Sequence, residues 1–159
     1  MHVKIETFPE TKIAKIAYAG TPENERGTIM KLVQWKIQHK LLDQSRYRTY
    51  GLHYLPETGV PESPDTPMPY RVDFCLSIEE DVAPNEFGIS EGRISACRCA
   101  VSRDIGSRMD NQAARFLIQE WLPSSGEALS GEPFIFHYVN VGPTVKESEA
   151  ITDVYLPLL

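Results

Sequence analysis

The stretch Phe-Ile-Phe-His-Tyr-Val at residues 134–139 matches an earlier stretch, Tyr-Gly-Leu-His-Tyr-Leu at 50–55. Each is followed by a second short apolar run, Asp-Val-Tyr-Leu at 153–156 and Asp-Phe-Cys-Leu at 73–76. Runs of this length and composition are typical of β-strands. The chain therefore carries the same strand pair twice, which predicts an internal duplication.

The segments that precede the two strand pairs follow one order as well. Residues 3–20 alternate apolar and polar side chains around a Pro-Glu turn, and residues 88–101 do so around a Glu-Gly turn, so each predicts two strands. Residues 24–42 and 107–122 change to the helical period. The side chains predicted to face inward are Ile29, Leu32, Val33, Ile37 and Leu41 in the first helix, and Met109, Ala113, Phe116, Leu117 and Trp121 in the second.

The two halves align with a shift of 81 residues for the strand at 12–20 and for the helices, 84 for the His-Tyr strands and 80 for the Asp strands. This predicts an α+β fold with a duplicated strand-strand-helix-strand-strand motif, a mostly antiparallel sheet and two helices. We expect one domain over residues 1–159, with repeats at about 1–80 and 85–159 related by a pseudo-twofold axis. A groove between the repeats is the expected site of function.

Composition narrows the class of protein. The 159 residues are 42% hydrophobic and 24% charged, as in ordinary globular proteins. The formal net charge of -6 argues against direct nucleic-acid binding. The start of the chain has no signal-peptide pattern and the apolar runs are strand-sized, so we expect a cytoplasmic protein without membrane association. Three cysteines, an odd number, favour reduced thiols, and the sequence carries no motif for a metal or a cofactor, so we expect neither.

Three runs, at residues 70–75, 121–126 and 153–158, together resemble the GyrI-like (gyrase-inhibitor-like) family across nearly the whole chain. The resemblance implies two SH2-like motifs around a groove that binds amphipathic or cationic aromatic compounds. It also implies the uses that members make of that groove: effector binding in AraC-type and MerR-type regulators, resistance as stand-alone proteins, and hydrolysis of cyclopropane-bearing alkylating toxins. No helix-turn-helix segment precedes the first strand, so we expect a stand-alone form that does not control transcription by itself. DNA gyrase or a regulator is the protein partner implied by the same resemblance.

One position departs from the family pattern. Members commonly read Pro-x-Phe-Glu-x-Tyr in the seventh strand, and this chain reads Pro-Phe-Ile-Phe-His-Tyr at 133–138, so Phe136 stands where the resemblance implies a groove glutamate. A phenyl ring offers a π face and apolar area but cannot activate water. We therefore expect no catalytic residue and a non-enzymatic binder of small hydrophobic compounds, cationic or not. The alternatives are a hydrolase in which an acid such as Glu120 replaces the glutamate, and a protein-interaction module.

Side chains two apart in a strand share a face, which places the candidate ligand contacts. The predicted set is Tyr50, Leu52, Tyr54, Phe134, Phe136, Tyr138, Trp35 and Trp121. Core packing stays the alternative for the two tryptophans, and Phe136 either lines the groove or plugs it. His53 and His137 are predicted on the opposite face. The proline-rich loop 55–69 is a candidate rim, and Asp73 and Asp153 are expected to make structural hydrogen bonds, with Arg71 pairing with Asp73.

Overall fold

The computed structural model describes residues 1–54, 70–108 and 110–159. Within these ranges the strands are β1 Lys4–Phe8, β2 Thr11–Gly20, β3 Thr49–His53, β4 Tyr70–Ser77, β5 Ser90–Ile94, β6 Cys97–Ile105, β7 Phe134–Tyr138 and β8 Ile151–Pro157. Helix α1 is Arg26–Gln38. Helix α2 combines α-helical Gln112–Phe116, a π-helical turn at Leu117–Trp121 and α-helical Leu122–Ser125. Short 3-10 turns lie at Pro22–Asn24 and Glu147–Glu149. The loop predicted as a rim, and Met109, lie outside the described residues.

The strands form one curled antiparallel sheet in the order β1-β6-β8-β7-β3-β4-β2-β5. This order reads the same from either edge when each strand is exchanged for its repeat equivalent, β1 for β5, β2 for β6, β3 for β7 and β4 for β8. A pseudo-twofold axis therefore passes between β3 and β7, which pair with each other. The predicted α+β fold with a duplicated motif is confirmed.

The first two strands of each repeat do not pair with each other. Strand β1 pairs with β6, and β2 pairs with β5, so each repeat gives its first strand to the sheet of the other. Local alternation predicts that a strand exists but not which strand it pairs with. The second turn is also misplaced in the sequence prediction: Glu91 and Gly92 lie inside β5, and the chain turns at Ser95 and Ala96.

The repeats align differently in space than in sequence. The second strands are equivalent at a shift of 86 residues rather than 81, because Ala17 of β2 pairs with Asp73 whereas Arg103 of β6 pairs with Asp153, the repeat equivalent of Asp73. The central strands are equivalent at 85 rather than 84, since Thr49–His53 matches Phe134–Tyr138. A slip of one residue moves every side chain of a strand to the other face. The central strands therefore present different residues than the sequence alignment predicts.

Both helices pack on one face of the sheet. Leu32 and Trp35 of α1 are buried against β2 and β4, and Ala113 and Leu117 of α2 are buried against β6, β7 and β8. The predicted stripe of α1 is wrong at Ile37, which is 56% exposed. A third core cluster lies on the opposite face and contains Phe8, Tyr50, Leu52, Cys99 and Ile135 among others. No helix in the described part of the chain is both long and apolar enough to span a membrane.

Candidate ligand-binding site

The six strand residues predicted to line one groove lie on two faces of the sheet. Phe134, Phe136 and Tyr138 belong to the helix face, where Phe134 and Phe136 pack in the core beneath α2. Tyr50, Leu52 and Tyr54 pack in the cluster on the opposite face. The predicted common groove is wrong, because β3 pairs with β7 in the register Gly51 to Phe136. As ligand contacts, these residues stay predictions.

On the helix face, β3 presents Thr49, Gly51 and His53 instead. Two of these side chains are small, so a cavity of about 280 Å³ remains between β3 and α1. Its apolar walls include Ile29, Leu32 and Val33 of α1, and Phe74 and Leu76 of β4. The equivalent space beneath α2 is filled by Phe134 and Phe136 packed against Trp121 and Leu122. The pseudo-symmetric fold therefore has an asymmetric site.

The floor of the cavity is a stack of aromatic rings. The rings of His53 and Phe136 lie with centroids 4.1 Å apart and planes tilted by 33°. Phe136 is partly buried and is one of the residues that line the cavity. Burial lowers the pKa of His53 to about 4, which leaves the imidazole neutral at pH 7. The prediction that His53 lies on the opposite face is wrong, because β3 pairs with β7 in a register that places His53 opposite Phe134.

The hydroxyl of Tyr138 lies 3.3 Å from Nε2 of His53, and the phenol ring crosses over Gly51 to reach it. A Cβ atom at Gly51 would meet the Tyr138 hydroxyl at 2.6 Å. Glycine inside a strand often marks such a close approach. The floor therefore depends on the absence of a side chain at residue 51. Burial raises the pKa of Tyr138, so the phenol keeps its proton at neutral pH.

Three charged side chains line the cavity. Glu25, at the N-cap of α1, accepts a hydrogen bond of 2.7 Å from the Tyr70 hydroxyl. Lys36 lies on the same helix, and burial lowers its pKa. Arg108 lies just before α2 with its guanidinium 5.2 Å from the centroid of the Tyr138 ring, and burial lowers its pKa too. The carboxylate of the site therefore comes from Glu25 at the N-cap of α1, whereas Phe136 on β7 provides none.

Two polar atoms beside the cavity are buried without a hydrogen-bond partner in the described part of the chain: Oγ1 of Thr49 and Nδ2 of Asn111. The orientation of the Asn111 amide is set by its capping role, because its Oδ1 accepts from the backbone N–H of Ala114 at 2.9 Å. An unpaired buried polar atom costs about 1–3 kcal/mol. Both residues line the cavity, so two side chains with unused hydrogen-bonding capacity border it.

The two tryptophans lie in the core and do not line the cavity. Trp35 is 4% exposed, packs beneath α1 and contacts the ring of His39. Trp121 is partly buried against the cluster beneath α2. The structure therefore agrees with the alternative of core packing. Glu120 is exposed on the π-helical turn, away from the cavity.

The remaining predicted residues have structural contacts. Asp73 is buried and accepts a hydrogen bond of 2.6 Å from the Tyr54 hydroxyl. The guanidinium of Arg71 stacks over the Tyr54 ring at 4.2 Å, and the predicted ion pair with Asp73 is absent from the described residues. Asp153 instead pairs with Arg103 through two bonds of 2.7 and 3.0 Å. No metal-binding group of His, Cys, Asp and Glu occurs in the described ranges.

The sequence contains signals for several residues that the prediction missed. Glu25, Ile29, Val33 and Lys36 are spaced as one face of a helix, the face already recognised from its apolar members. Gly51 is an isolated glycine in a strand pattern. Asn111 precedes a helical pattern as an N-cap residue does. No sequence signal identifies Arg108, which reaches the site through the fold alone.

A second depression, of about 530 Å³, lies on the opposite face beside Tyr50, His137 and Tyr155. His137 lies there as predicted, with its ring 5.0 Å from that of Tyr50. Most of the other residues around it are polar or charged, and they include Glu6, Lys12, Arg46, Arg48 and Glu79. Ligand sites are mainly apolar with a few polar groups. The cavity beneath α1 fits that description better, although its volume is smaller.

The fold and the cavity agree with the family that the sequence indicates. Residues 1–159 match the family model of the GyrI-like small molecule binding domain. The chain therefore belongs to this family and is a small-molecule-binding domain.

Two kinds of relatives support this placement. The chain is 32% identical over 160 residues to the probable transcriptional regulator YgiV of Escherichia coli (strain K12), covering 99% of this chain and 96% of that protein. The crystal structure of the EcmrR C-terminal domain has a TM-score of 0.74 at 14% identity and covers 99% of this chain and 97% of that domain. The structure of SAV2435 bound to tetraphenylphosphonium has a TM-score of 0.56 at 13% identity, covering 100% and 94%. At these identities the two structures show the fold alone.

Proposed function

We propose that the cavity beneath α1 binds small, flat, hydrophobic compounds, aromatic ones above all, without transforming them. The observation that carries this proposal is the cavity itself, with an aromatic floor, aliphatic walls and two unpaired polar atoms. Such a combination gives affinity through apolar area and orientation through a few polar contacts. A chain that binds in this way acts by sequestering the compound or as a detached sensor.

The size of the cavity limits the compound. A volume of about 280 Å³ corresponds to roughly nine waters at the density of the liquid. A fused two-ring aromatic body fits this space better than a bulky, three-dimensional one. Tetraphenylphosphonium, the ligand in the SAV2435 structure, therefore requires the cavity to widen or binds only in part.

The test uses neutral 2-naphthol, with the melting temperature and isothermal titration calorimetry as readouts. A ligand at 100 times its Kd stabilises the folded state by about 2.7 kcal/mol, which raises the melting temperature by several degrees. Val33→Trp fills the cavity and should abolish binding, because Val33 lines it. Gln34→Trp is the matched control, since it adds the same side chain one position along, on the exposed side of α1.

Absence of binding by the wild type, or equal binding by Val33→Trp and the wild type, contradicts the proposal. Loss of binding in both variants would show only that α1 tolerates no tryptophan, so far-ultraviolet circular dichroism of each variant accompanies the titration. Val33→Phe then replaces Val33→Trp as the smaller filling substitution.

The second candidate function is hydrolysis, and one contact favours it. The Glu25 carboxylate lies in the cavity with the Tyr70 hydroxyl 2.7 Å away, where it can accept a proton from water. Glu120, the acid considered from sequence, is exposed outside the cavity. Incubation with a cyclopropane-bearing alkylating toxin and mass analysis tests this candidate. A water adduct formed by the wild type and lost in Glu25→Gln supports it, and a rate equal to the uncatalysed rate removes it.

The protein partner implied by the sequence, DNA gyrase or a regulator, is a separate proposal. A supercoiling assay with purified gyrase, in the presence and absence of the chain, tests the first of these partners. Unchanged supercoiling at a molar excess of the chain argues against it.

A further inference from the structure

The unpaired polar groups around the cavity include a buried hydrogen-bond donor. The Asn111 amide is oriented by its Oδ1, which accepts from the N–H of Ala114, so the group left unpaired is the donor Nδ2. Thr49 offers a hydroxyl that donates or accepts. Both residues line the cavity, so a ligand with an acceptor group matches the chemistry of these side chains.

The charges around the cavity are mainly positive. Lys36 and Arg108 line it, and neither forms an ion pair with a carboxylate of the described residues. Glu25 is the one acidic side chain among the described lining residues, and one of its oxygens already accepts from Tyr70. Two cations thus face one partly satisfied carboxylate.

The positive charge of Arg108 is fixed in place. Its Nε donates to the Thr152 hydroxyl at 3.1 Å, and its Nη2 donates to the backbone carbonyls of Asn140 at 2.7 Å and Ile151 at 3.0 Å. These acceptors are neutral, so they hold the guanidinium without cancelling its charge. A fixed charge beside apolar walls interacts more strongly than one in water, because the surroundings screen it less.

We propose that the cavity selects apolar organic anions, such as aromatic carboxylates, over cations of the same shape. This inference rests on the proposed function, because it names the class of compound that the same cavity binds. The negative head of the ligand pairs with Lys36 and with the Asn111 amide, and its rings lie against the stack of His53 and Phe136. The net charge of -6 acts in the other direction but at long range, where salt screens it.

The experiment compares three probes that share one ring system: 1-naphthoate, 1-naphthylmethanol and 1-naphthylmethylammonium. Their dissociation constants are measured by isothermal titration calorimetry at pH 7 and at two salt concentrations. The expected order is naphthoate tightest and the ammonium weakest, with about a tenfold or larger difference between them. The naphthoate affinity should fall only modestly with salt, because the paired charges are enclosed.

Two substitutions locate the charge. Lys36→Met keeps the length of the side chain and removes the charge, so it should weaken naphthoate binding about tenfold and leave naphthylmethanol nearly unchanged. Asn111→Asp keeps a good N-cap residue but replaces the donor with a carboxylate, so it should reverse the preference toward the ammonium. Lys31→Met is the control, because Lys31 lies on the same helix, is exposed and does not line the cavity.

Each outcome decides the question. If the ammonium binds as tightly as naphthoate or more tightly, the anion preference is overturned while the proposed function stands. The preference is also overturned if naphthoate binds best but Lys36→Met and Asn111→Asp bind it as the wild type does, because the anion then sits elsewhere. If none of the three probes binds, the proposed function fails and this inference fails with it.

Discussion

Replacing Gly51 with alanine tests how the floor of the cavity is built. Gly51 lies in the middle of β3, and the phenol of Tyr138 crosses over it toward His53. An added Cβ atom would lie 2.6 Å from the Tyr138 hydroxyl and 3.2 Å from Cε2 of the same ring. Contacts below 3.0 Å do not persist, so the ring must move.

Two terms set the size of the effect. Overpacking of this kind costs about 1–3 kcal/mol. Replacing glycine inside a strand gains roughly 0.5–1 kcal/mol, because alanine loses less conformational freedom on folding. Gly51→Ala should therefore lower the free energy of unfolding by up to about 2.5 kcal/mol, which is the difference between the two terms. It should also weaken binding of 2-naphthol, since the displaced ring enters the cavity.

A double-mutant cycle with Tyr138→Phe separates the terms. The second substitution removes the hydroxyl that meets the new Cβ, so in its background Gly51→Ala should be neutral or stabilising by up to about 1 kcal/mol. The coupling energy expected from urea denaturation of the four proteins equals the overpacking cost, about 1–3 kcal/mol. Gly92→Ala is the control, because a Cβ there meets only the flexible side chain of Lys15.

Two results would show that the Tyr138 ring does not lie across β3. One is an equal effect of Gly51→Ala in both backgrounds, and the other is a stabilisation by Gly51→Ala as large as that by Gly92→Ala.

Two further predictions concern buried polar groups. The pKa of His53 is lowered from 6.5 to about 4, so the unfolded chain takes up this proton first, and stability present above pH 6.5 is lost as the pH falls toward 4. The loss should be on the order of 2 kcal/mol relative to His53→Phe, measured by urea denaturation from pH 7.5 to 4, and an equal pH dependence of both proteins would contradict it. Asp73→Ala leaves the Tyr54 hydroxyl without its acceptor and should cost about 1.5–3 kcal/mol, whereas Asp153→Ala breaks a pair with the half-exposed Arg103 and should cost less than about 1 kcal/mol. Thermal unfolding of the two variants measures both losses of stability. Equal losses would contradict the prediction that the more buried aspartate contributes more.

The order of strands and helices could be predicted from the sequence because each element has a clear period. The strand pairing could not, because alternation in residues 3–8 is the same whether they pair with β2 or, as they do, with β6. The exchange of first strands between repeats is a property of the whole sheet. It needs both repeats to be present before either edge is complete.

The composition of the site could be predicted only in part. The shared His-Tyr pairs align His53 with His137, but the backbone hydrogen bonds make His53 equivalent to Tyr138. This single residue moves Tyr50 and Leu52 away from the cavity and brings His53 into it. Phe136 lines the cavity, and its role as a ligand contact stays a prediction. Glu25 at the N-cap of α1 gives the cavity a carboxylate, and its position on a helix lies outside the strand pattern from which the site was predicted.

The most direct test of the cavity as the ligand site is a crystal structure with 6-bromo-2-naphthol, a neutral probe whose bromine is located by anomalous scattering. The probe should lie beneath α1, with its rings against His53 and Phe136 and its hydroxyl within hydrogen-bond distance of Thr49 or Asn111. A bromine peak on the opposite face of the sheet, beside Tyr50 and Tyr155, with the cavity beneath α1 empty, would contradict the account.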